Sequence, residues 1–209
     1  MSDRVHVIDH PLAQHGLGIL RDKSTPSPMF RLAVAEMTRQ LVYAATTDLK
    51  TTEVQVETPF AEATVQQLTQ PVSPIAILRS GGAMLDTAIE TLPGCQAGHF
   101  GVYHDKRVGA TVEYYLKLPD QVEDSRVLLL DPAIGTGKTA VATIARMMEF
   151  GATDIRFLTL IASADGAEAV AAQFPDVQIY TVSANEAVGP KGYLLPGLGD
   201  FGDRCYGSR

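Results

Sequence analysis

The chain has 209 residues, 45% hydrophobic and 20% charged, enough for one sizeable core and too apolar for wholesale disorder. A formal net charge of −7 argues against a protein whose main task is holding nucleic acid, because that task rests on Lys and Arg neutralising phosphates. Two cysteines, Cys95 and Cys205, lie far apart and form no metal-ligand cluster, which fits a reducing cytoplasm. No apolar run is long enough to span a bilayer, and MSDRVHVIDH lacks the apolar core of a signal peptide.

In chain order, residues 9–27 are rich in turn formers and predict an arm or a short helix with loops. From Pro28 to about Leu49, apolar positions recur at helical spacing through Phe30, Val34, Met37, Leu41 and Ala45. Residues 52–65 alternate around Thr58-Pro59 and read as a hairpin. Beyond it, short apolar runs at Ile75–Leu78, Val127–Leu130, Phe157–Ile161 and Val177–Val182 alternate with helical patterns at 82–91, 139–149 and 165–173. Gly151 is the expected C-cap of the second helix. This alternation predicts an α/β fold with a mostly parallel central sheet flanked by helices. Residues 98–103 and 111–117 predict two strands joined by the polar loop His104–Ala110, a pair able to project as a β-arm. No linker interrupts the chain, so residues 1–209 are read as one domain.

The chemistry concentrates after Val127–Leu130. Asp131 stands at the carboxyl end of a strand, where open α/β sheets bind their ligands. Pro132, Ala133, Ile134, Gly135, Thr136, Gly137, Lys138 and Thr139 follow, then a helix. Gly135 and Gly137 allow close backbone approach, and the helix start offers unpaired N–H groups and a positive dipole end to a phosphate. Asp131 would repel phosphate and suits sugar hydroxyls or a water-bridged metal ion. GTGKT is not a P-loop: the Walker pattern needs glycine where Pro132 stands, although the Lys138 ammonium can still meet a phosphate. Arg79 follows the strand Ile75–Leu78, and its fork of donors suits a diphosphate; the alternative is a surface ion pair.

HPLAQHGLGILRD at 10–22, YAATTDL at 43–49, PIAILRSGGAML at 74–85, VEYYLKLP at 112–119, DPAIGTGKT at 131–139 and GYLLPGLGDFGDRCYG at 192–207 together resemble uracil phosphoribosyltransferases over nearly the whole chain. The last stretch is the most specific. The resemblance implies a type I phosphoribosyltransferase fold with an N-terminal segment (about 1–50), a projecting β-arm (about 98–117) and a C-terminal base-recognition loop (about 192–207). It implies transfer of ribose 5-phosphate from 5-phosphoribosyl 1-diphosphate (PRPP) to uracil, giving UMP and diphosphate in pyrimidine salvage, with Mg2+ carried by substrate and water.

By the same resemblance, Arg79, Asp131 and Asp200 are the catalytic residues. Arg79, His104, residues 131–139 and Asp200 bind PRPP, and Leu194, Gly199, Asp200 and Phe201 bind uracil. A homodimer or higher homo-oligomer and a GTP effector belong to the same implication. Three positions depart from the family's pattern: His104 replaces an arginine, with Lys106 and Arg107 near it in sequence, Lys138 replaces a glycine, and Phe201 stands where some relatives have alanine. They leave open transfer to another base; a second alternative is a non-catalytic nucleotide-sensing regulator on the same fold. Tyr114 and Tyr115 are expected to pack the arm, and His6, His10, His15 and His99 to be structural or exposed.

Overall fold

A computed structural model of the chain describes residues 3–105, 110–190 and 192–207. The chain begins with strand β1 (Val5–Val7), helix α1 (Pro11–Arg21), helix α2 (Ser27–Ala45) and the antiparallel hairpin β2 (Thr51–Glu57) and β3 (Glu62–Leu68). Strand β4 (Val72–Leu78), helix α3 (Gly82–Thr91) and the antiparallel pair β5 (Gly98–Asp105) and β6 (Ala110–Lys117) follow. Then come β7 (Arg126–Leu130), β8 (Ala133–Ile134), α4 (Lys138–Glu149), β9 (Asp154–Leu158), β10 (Ile161–Ser163) and α5 (Ala164–Gln173). The chain closes with β11 (Gln178–Thr181), β12 (Ser183–Val188), β13 (Leu194–Leu195) and α6 (Phe201–Tyr206).

The main sheet has seven strands in the order β1-β11-β9-β7-β4-β5-β6, all parallel except β6, which pairs antiparallel with β5. Side chains alternate across it, as a sheet covered on both faces requires. In β7, Leu128 and Leu130 face a core built with α1, α2, α3 and α6, whereas Val127 and Leu129 face a core built with α4 and α5. A smaller sheet, β13-β12-β10-β8, sits beyond the carboxyl ends of the main strands. No helix among the described residues is long and apolar enough to cross a membrane.

Several expectations shift. Residues 9–27 contain a full helix, α1, whose start is capped by the His10 ring accepting from Leu12 N–H. Helix α2 stops at Ala45, four residues before Leu49, with Thr46 as its C-cap. The Phe157–Ile161 run is not one strand: it joins the end of β9 to the start of β10. Strand β9 begins earlier, at Asp154, because its polar positions are used. Arg126, buried on β7, donates to Asp154 at 2.9 Å and to the Asp48 carboxylate, and Arg156 reaches Asp48 at 3.2 Å. Burial works against the Arg126 charge, but its hydrogen bonds to Asp48 and Asp154 more than offset this and raise its pKa.

Gly151 takes the left-handed conformation just after the Phe150 cap of α4. His6 bonds Gln178 and stacks on Tyr180. The expected loop from His104 is shortened by strands reaching Asp105 and resuming at Ala110; Lys106 and Arg107 lie outside the described residues. Tyr114 packs over Gly101 and tilts against Tyr103 on the arm, while Tyr114 and Tyr115 both stay about half exposed.

Arg126→Ala leaves the Asp154 carboxylate without its buried partner and lowers the stability of the fold by about 2–3 kcal/mol, a value moderated by the exposure of Asp48. Urea denaturation followed by circular dichroism measures it, and a change within experimental error would show that the buried arginine contributes nothing net.

Candidate active site

The carboxyl ends of β4 and β7 lie side by side, and the chain leaves each with a distinct polar group. After β4 come Arg79, Ser80 and Gly81; after β7 comes Asp131. The closeness requires glycine at position 81, since a Cβ there would stand 2.0 Å from the Leu130 carbonyl oxygen. Arg79 is exposed, follows a cis Leu78–Arg79 peptide, and accepts a 3.4 Å bond from the Tyr206 hydroxyl on its carbonyl.

The loop after Asp131 is pinned by backbone. Asp131 N–H donates to Leu158 O at 3.2 Å, and Pro132 O accepts from Leu160 and Ile161 N–H at 3.1 and 3.2 Å. The Ser163 hydroxyl donates to Gly135 O at 2.6 Å. Gly137 has φ of +78° and caps α4; a Cβ on it would stand 2.7 Å from Gly166 O, and one on Gly166 would stand 2.0 Å from Gly135 O. No side chain caps the start of α4 and no acid occupies its first turn, so its leading N–H groups remain available to an anion. A cleft of about 510 Å³ opens here, lined by Asp131, residues 133–140, Pro190 and Gly192.

Asp131 is half-buried, and desolvation pushes its carboxyl up to about 7, with an opposing hydrogen bond from Ala133 N–H. Such a carboxyl is poised near neutrality, as groups in ligand clefts often are.

A second cleft, about 220 Å³, is lined by Leu194, Leu198, Gly199, Asp200, Phe201 and Gly202 on one side and by Ser80 and Ile161 on another. It shares the walls Ala133, Gly135 and Gly192 with the first. Asp200 caps α6 by accepting from Asp203 N–H at 3.0 Å. Its other oxygen accepts from the Tyr193 hydroxyl at 3.3 Å, and the Asp200 charge raises the Tyr193 pKa. Phe201 is mostly buried and sets its ring edge-on to Phe30, 5.3 Å between centroids.

Of the expected site residues, 131 and 133–139 line the first cleft and Leu194, Gly199, Asp200 and Phe201 line the second. Arg79 adjoins the second cleft beside Ser80, with its Nη2 3.8 Å from where a Gly202 Cβ would stand. Pro132 is buried and lines neither, serving the loop through its carbonyl. The His104 backbone pairs with Thr111 on the arm; its side chain lies outside the described residues. Lys138 is the first residue of α4, exposed and free of the left-handed conformation, which falls on Gly137 instead. That is why a lysine is accommodated there. Sequence reading missed Gly166, Pro190, Gly192 and Tyr193; only Gly192 and Tyr193 fall inside a motif that could have signalled them.

Gly137→Ala forces a Cβ against Gly166 O in a backbone conformation that L-residues avoid. Phosphate-ester binding measured by calorimetry is expected to weaken at least about tenfold, and unchanged binding would refute the loop's role.

Comparisons with known proteins bear on the family and the fold. The uracil phosphoribosyltransferase family profile matches residues 7–208. Uracil phosphoribosyltransferases from Halalkalibacterium halodurans and Geobacillus kaustophilus are 41% and 40% identical over 207 residues, covering 99% of each chain. The solved structure of the AQ2163 protein from Aquifex aeolicus superimposes with a TM-score of 0.91 at 28% identity over 97% of both chains. An adenine phosphoribosyl transferase from Trypanosoma brucei shares the fold, with a TM-score of 0.60 at 13% identity over 88% of this chain and 85% of that one. With the family profile spanning nearly the whole chain and relatives about 40% identical end to end, the chain belongs to the uracil phosphoribosyltransferase family.

Proposed function

We propose that the protein transfers the 5-phosphoribosyl group of PRPP to a ring nitrogen of uracil, releasing diphosphate and forming UMP in pyrimidine salvage. The observation that carries the reading is the shared wall Ala133–Gly135–Gly192, through which the two clefts meet. A ribosyl phosphate seated at α4 would present its anomeric carbon to a base seated against Leu194–Phe201.

The bond from the anomeric carbon to the diphosphate oxygen breaks through an oxocarbenium-like state, and its electron pair leaves with the diphosphate. The uracil nitrogen then bonds to that carbon and releases its proton. Catalysis rests on positioning and on charge stabilisation. Arg79 holds the leaving diphosphate. The N–H groups at the start of α4, with the Thr136 and Thr139 hydroxyls and Lys138, hold the 5′-phosphate, and this remote binding orients the reacting centre. Asp131 accepts from the ribose hydroxyls, and Asp200 approaches the ribosyl group from the base side. His104 belongs to the arm that would cover the diphosphate and exclude water.

Magnesium fits as an ion carried by the substrate. Among the described residues no three His, Cys, Asp or Glu side chains gather to hold one, but the desolvated Asp131 carboxyl is a suitable acidic neighbour, and the ion would neutralise charge on the diphosphate.

The protein is also expected to self-associate in the cytoplasm. Both faces of the β2–β3 hairpin are largely exposed, with Phe60 98% exposed at its turn, and a lone hairpin is marginal in water. GTP control, which the family resemblance implies, is read by adding GTP to the assay.

Protein, Mg2+, PRPP and a panel of bases are expected to yield UMP with uracil as the preferred acceptor. PRPP binding without UMP formation would sink the enzyme reading, and a better acceptor in the panel would reassign the base.

Because Asp131 titrates near 7 and its ionised form is the better acceptor, kcat/KM for PRPP is expected to fall as pH drops through about 7. Asp131→Asn should lower the plateau and abolish that limb. For stability the sign is opposite. A carboxyl raised above its ordinary value of about 4 contributes most when protonated, and that contribution is lost as pH rises towards about 7. The asparagine variant should therefore melt no lower than wild type at pH 8.

A further inference from the structure

The loop Leu194–Gly199 has little regular structure of its own to hold its shape. Leu194 and Leu195 pair with β12, the Leu195–Pro196 peptide is cis, and Gly197 and Gly199 both have positive φ. A Cβ on Gly197 would stand 2.1 Å from Leu194 O, so the turn is as tight as glycine allows. Its polar anchors come from outside the clefts. Gly197 N–H donates to Glu186 Oε2 at 2.8 Å. The Glu186 side chain, on β12, is only 1% exposed, and it lines neither cleft. Its other oxygen accepts from the Ser183 hydroxyl at 2.8 Å and pairs with Arg21, the last residue of α1.

One residue further along the loop, Leu198 O accepts from Arg204 Nη1 at 2.9 Å. Arg204 also donates to Leu20 O and Asp22 O, on either side of Arg21. The end of α1 therefore grips the loop twice, once through each of two successive residues.

We propose that Glu186, charge-balanced by Arg21, is a positioning residue for base recognition: by holding Gly197 N–H it sets the spacing between Leu194 and Gly199. This rests on the placement of the base against that loop. Glu186 cannot touch the base from where it sits. A carboxylate buried among uncharged groups needs a counter-charge, and Arg21 supplies it. The loop that would hold the ribosyl phosphate is secured through Pro132 O and Gly135 O, and Ser163, which holds Gly135 O, is linked to Glu186 only by strand pairing of the backbone, which a side-chain substitution leaves in place. Loss of Glu186 should therefore fall on the base and spare PRPP.

The experiment compares the steady-state kinetics of wild type, Glu186→Ala, Glu186→Gln and Asp200→Asn, with PRPP binding measured directly. Glu186→Ala leaves Gly197 N–H unsatisfied, and its uracil KM is expected to rise about tenfold or more while the KM for PRPP stays within about threefold. Glu186→Gln keeps an oxygen for Gly197 N–H and should restore most of the uracil KM, a rescue that a merely structural role does not predict. The proposal is overturned by a uracil KM within about twofold of wild type in the alanine variant, by parallel rises for both substrates, or by failure of glutamine to rescue. Should the alanine variant not fold, Arg21→Ala is read in its place: a selective rise in uracil KM supports the brace, and none overturns it. If wild type makes no UMP, the base-site reading itself fails. If wild type turns over and Asp200→Asn impairs it while Glu186→Ala does not, only the brace fails.

Discussion

The structure depends on backbone approaching backbone without a side chain between. Gly81 lies against Leu130 O, Gly137 against Gly166 O, and Gly166 against Gly135 O, each at a separation that a Cβ would violate. The first contact holds the turn after β4 against the end of β7, at the edge where Arg79 and Asp131 leave their strands. The other two fold the Gly135–Gly137 loop onto the start of α5. A phosphate held by main-chain N–H groups needs this kind of surface, because peptide dipoles are fixed by the fold and need no reorganisation on binding.

The second loop is held on a different principle. Around Leu194–Gly199 the anchors are charged side chains, Glu186 and Arg204, reaching from β12 and α6 and meeting at the end of α1. Helix α1 touches neither cleft, yet its last residue and the carbonyls around it hold the Glu186 and Arg204 side chains that bond the Gly197 and Leu198 backbone. This gives a physical role to the HPLAQHGLGILRD stretch, whose match to the family is otherwise hard to connect with a site made by the second half of the chain. The two loops are thus held by different means, one by packed glycines and the other by the Arg21–Glu186 ion pair and the Arg204 hydrogen bonds, although β8 and β12 share one small sheet.

What the sequence disclosed follows the same division. Helices α3 and α5, the β2–β3 hairpin and strand β7 were legible because their periodicity or turn chemistry is local. Strand β9 was misplaced because Asp154 and Arg156 interrupt its apolar run, and their presence makes sense only beside Arg126 and Asp48, far away in sequence. Strand β1, three residues long, offers too little pattern to be seen, although it pairs in register with Val5 opposite Ile179. At the candidate site, the tight turn before α4 is legible through Gly135 and Gly137. Gly166, which makes the loop possible, looks like any helix-start glycine. Glu186 was invisible for the same reason: its partners Arg21 and Gly197 converge on it only after the chain has folded.

The acidic balance of the chain, −7 overall, looks ill suited to a substrate as anionic as PRPP. The distribution of arginines resolves the difficulty. Arg21, Arg39, Arg126, Arg146 and Arg156 are engaged by carboxylates, and Arg31 and Arg204 by backbone carbonyls. Arg79 forms no ion pair among the described residues, and it stands exposed at the mouth of the site with Lys138 at the start of α4. Site cations left uncommitted, added to an uncapped helix start, attract an anion locally whatever the total charge, because screening confines the field of the remaining surface to about 8–10 Å at physiological salt. The cleft thus keeps donors suited to an anion: an exposed guanidinium, an ammonium and main-chain N–H groups.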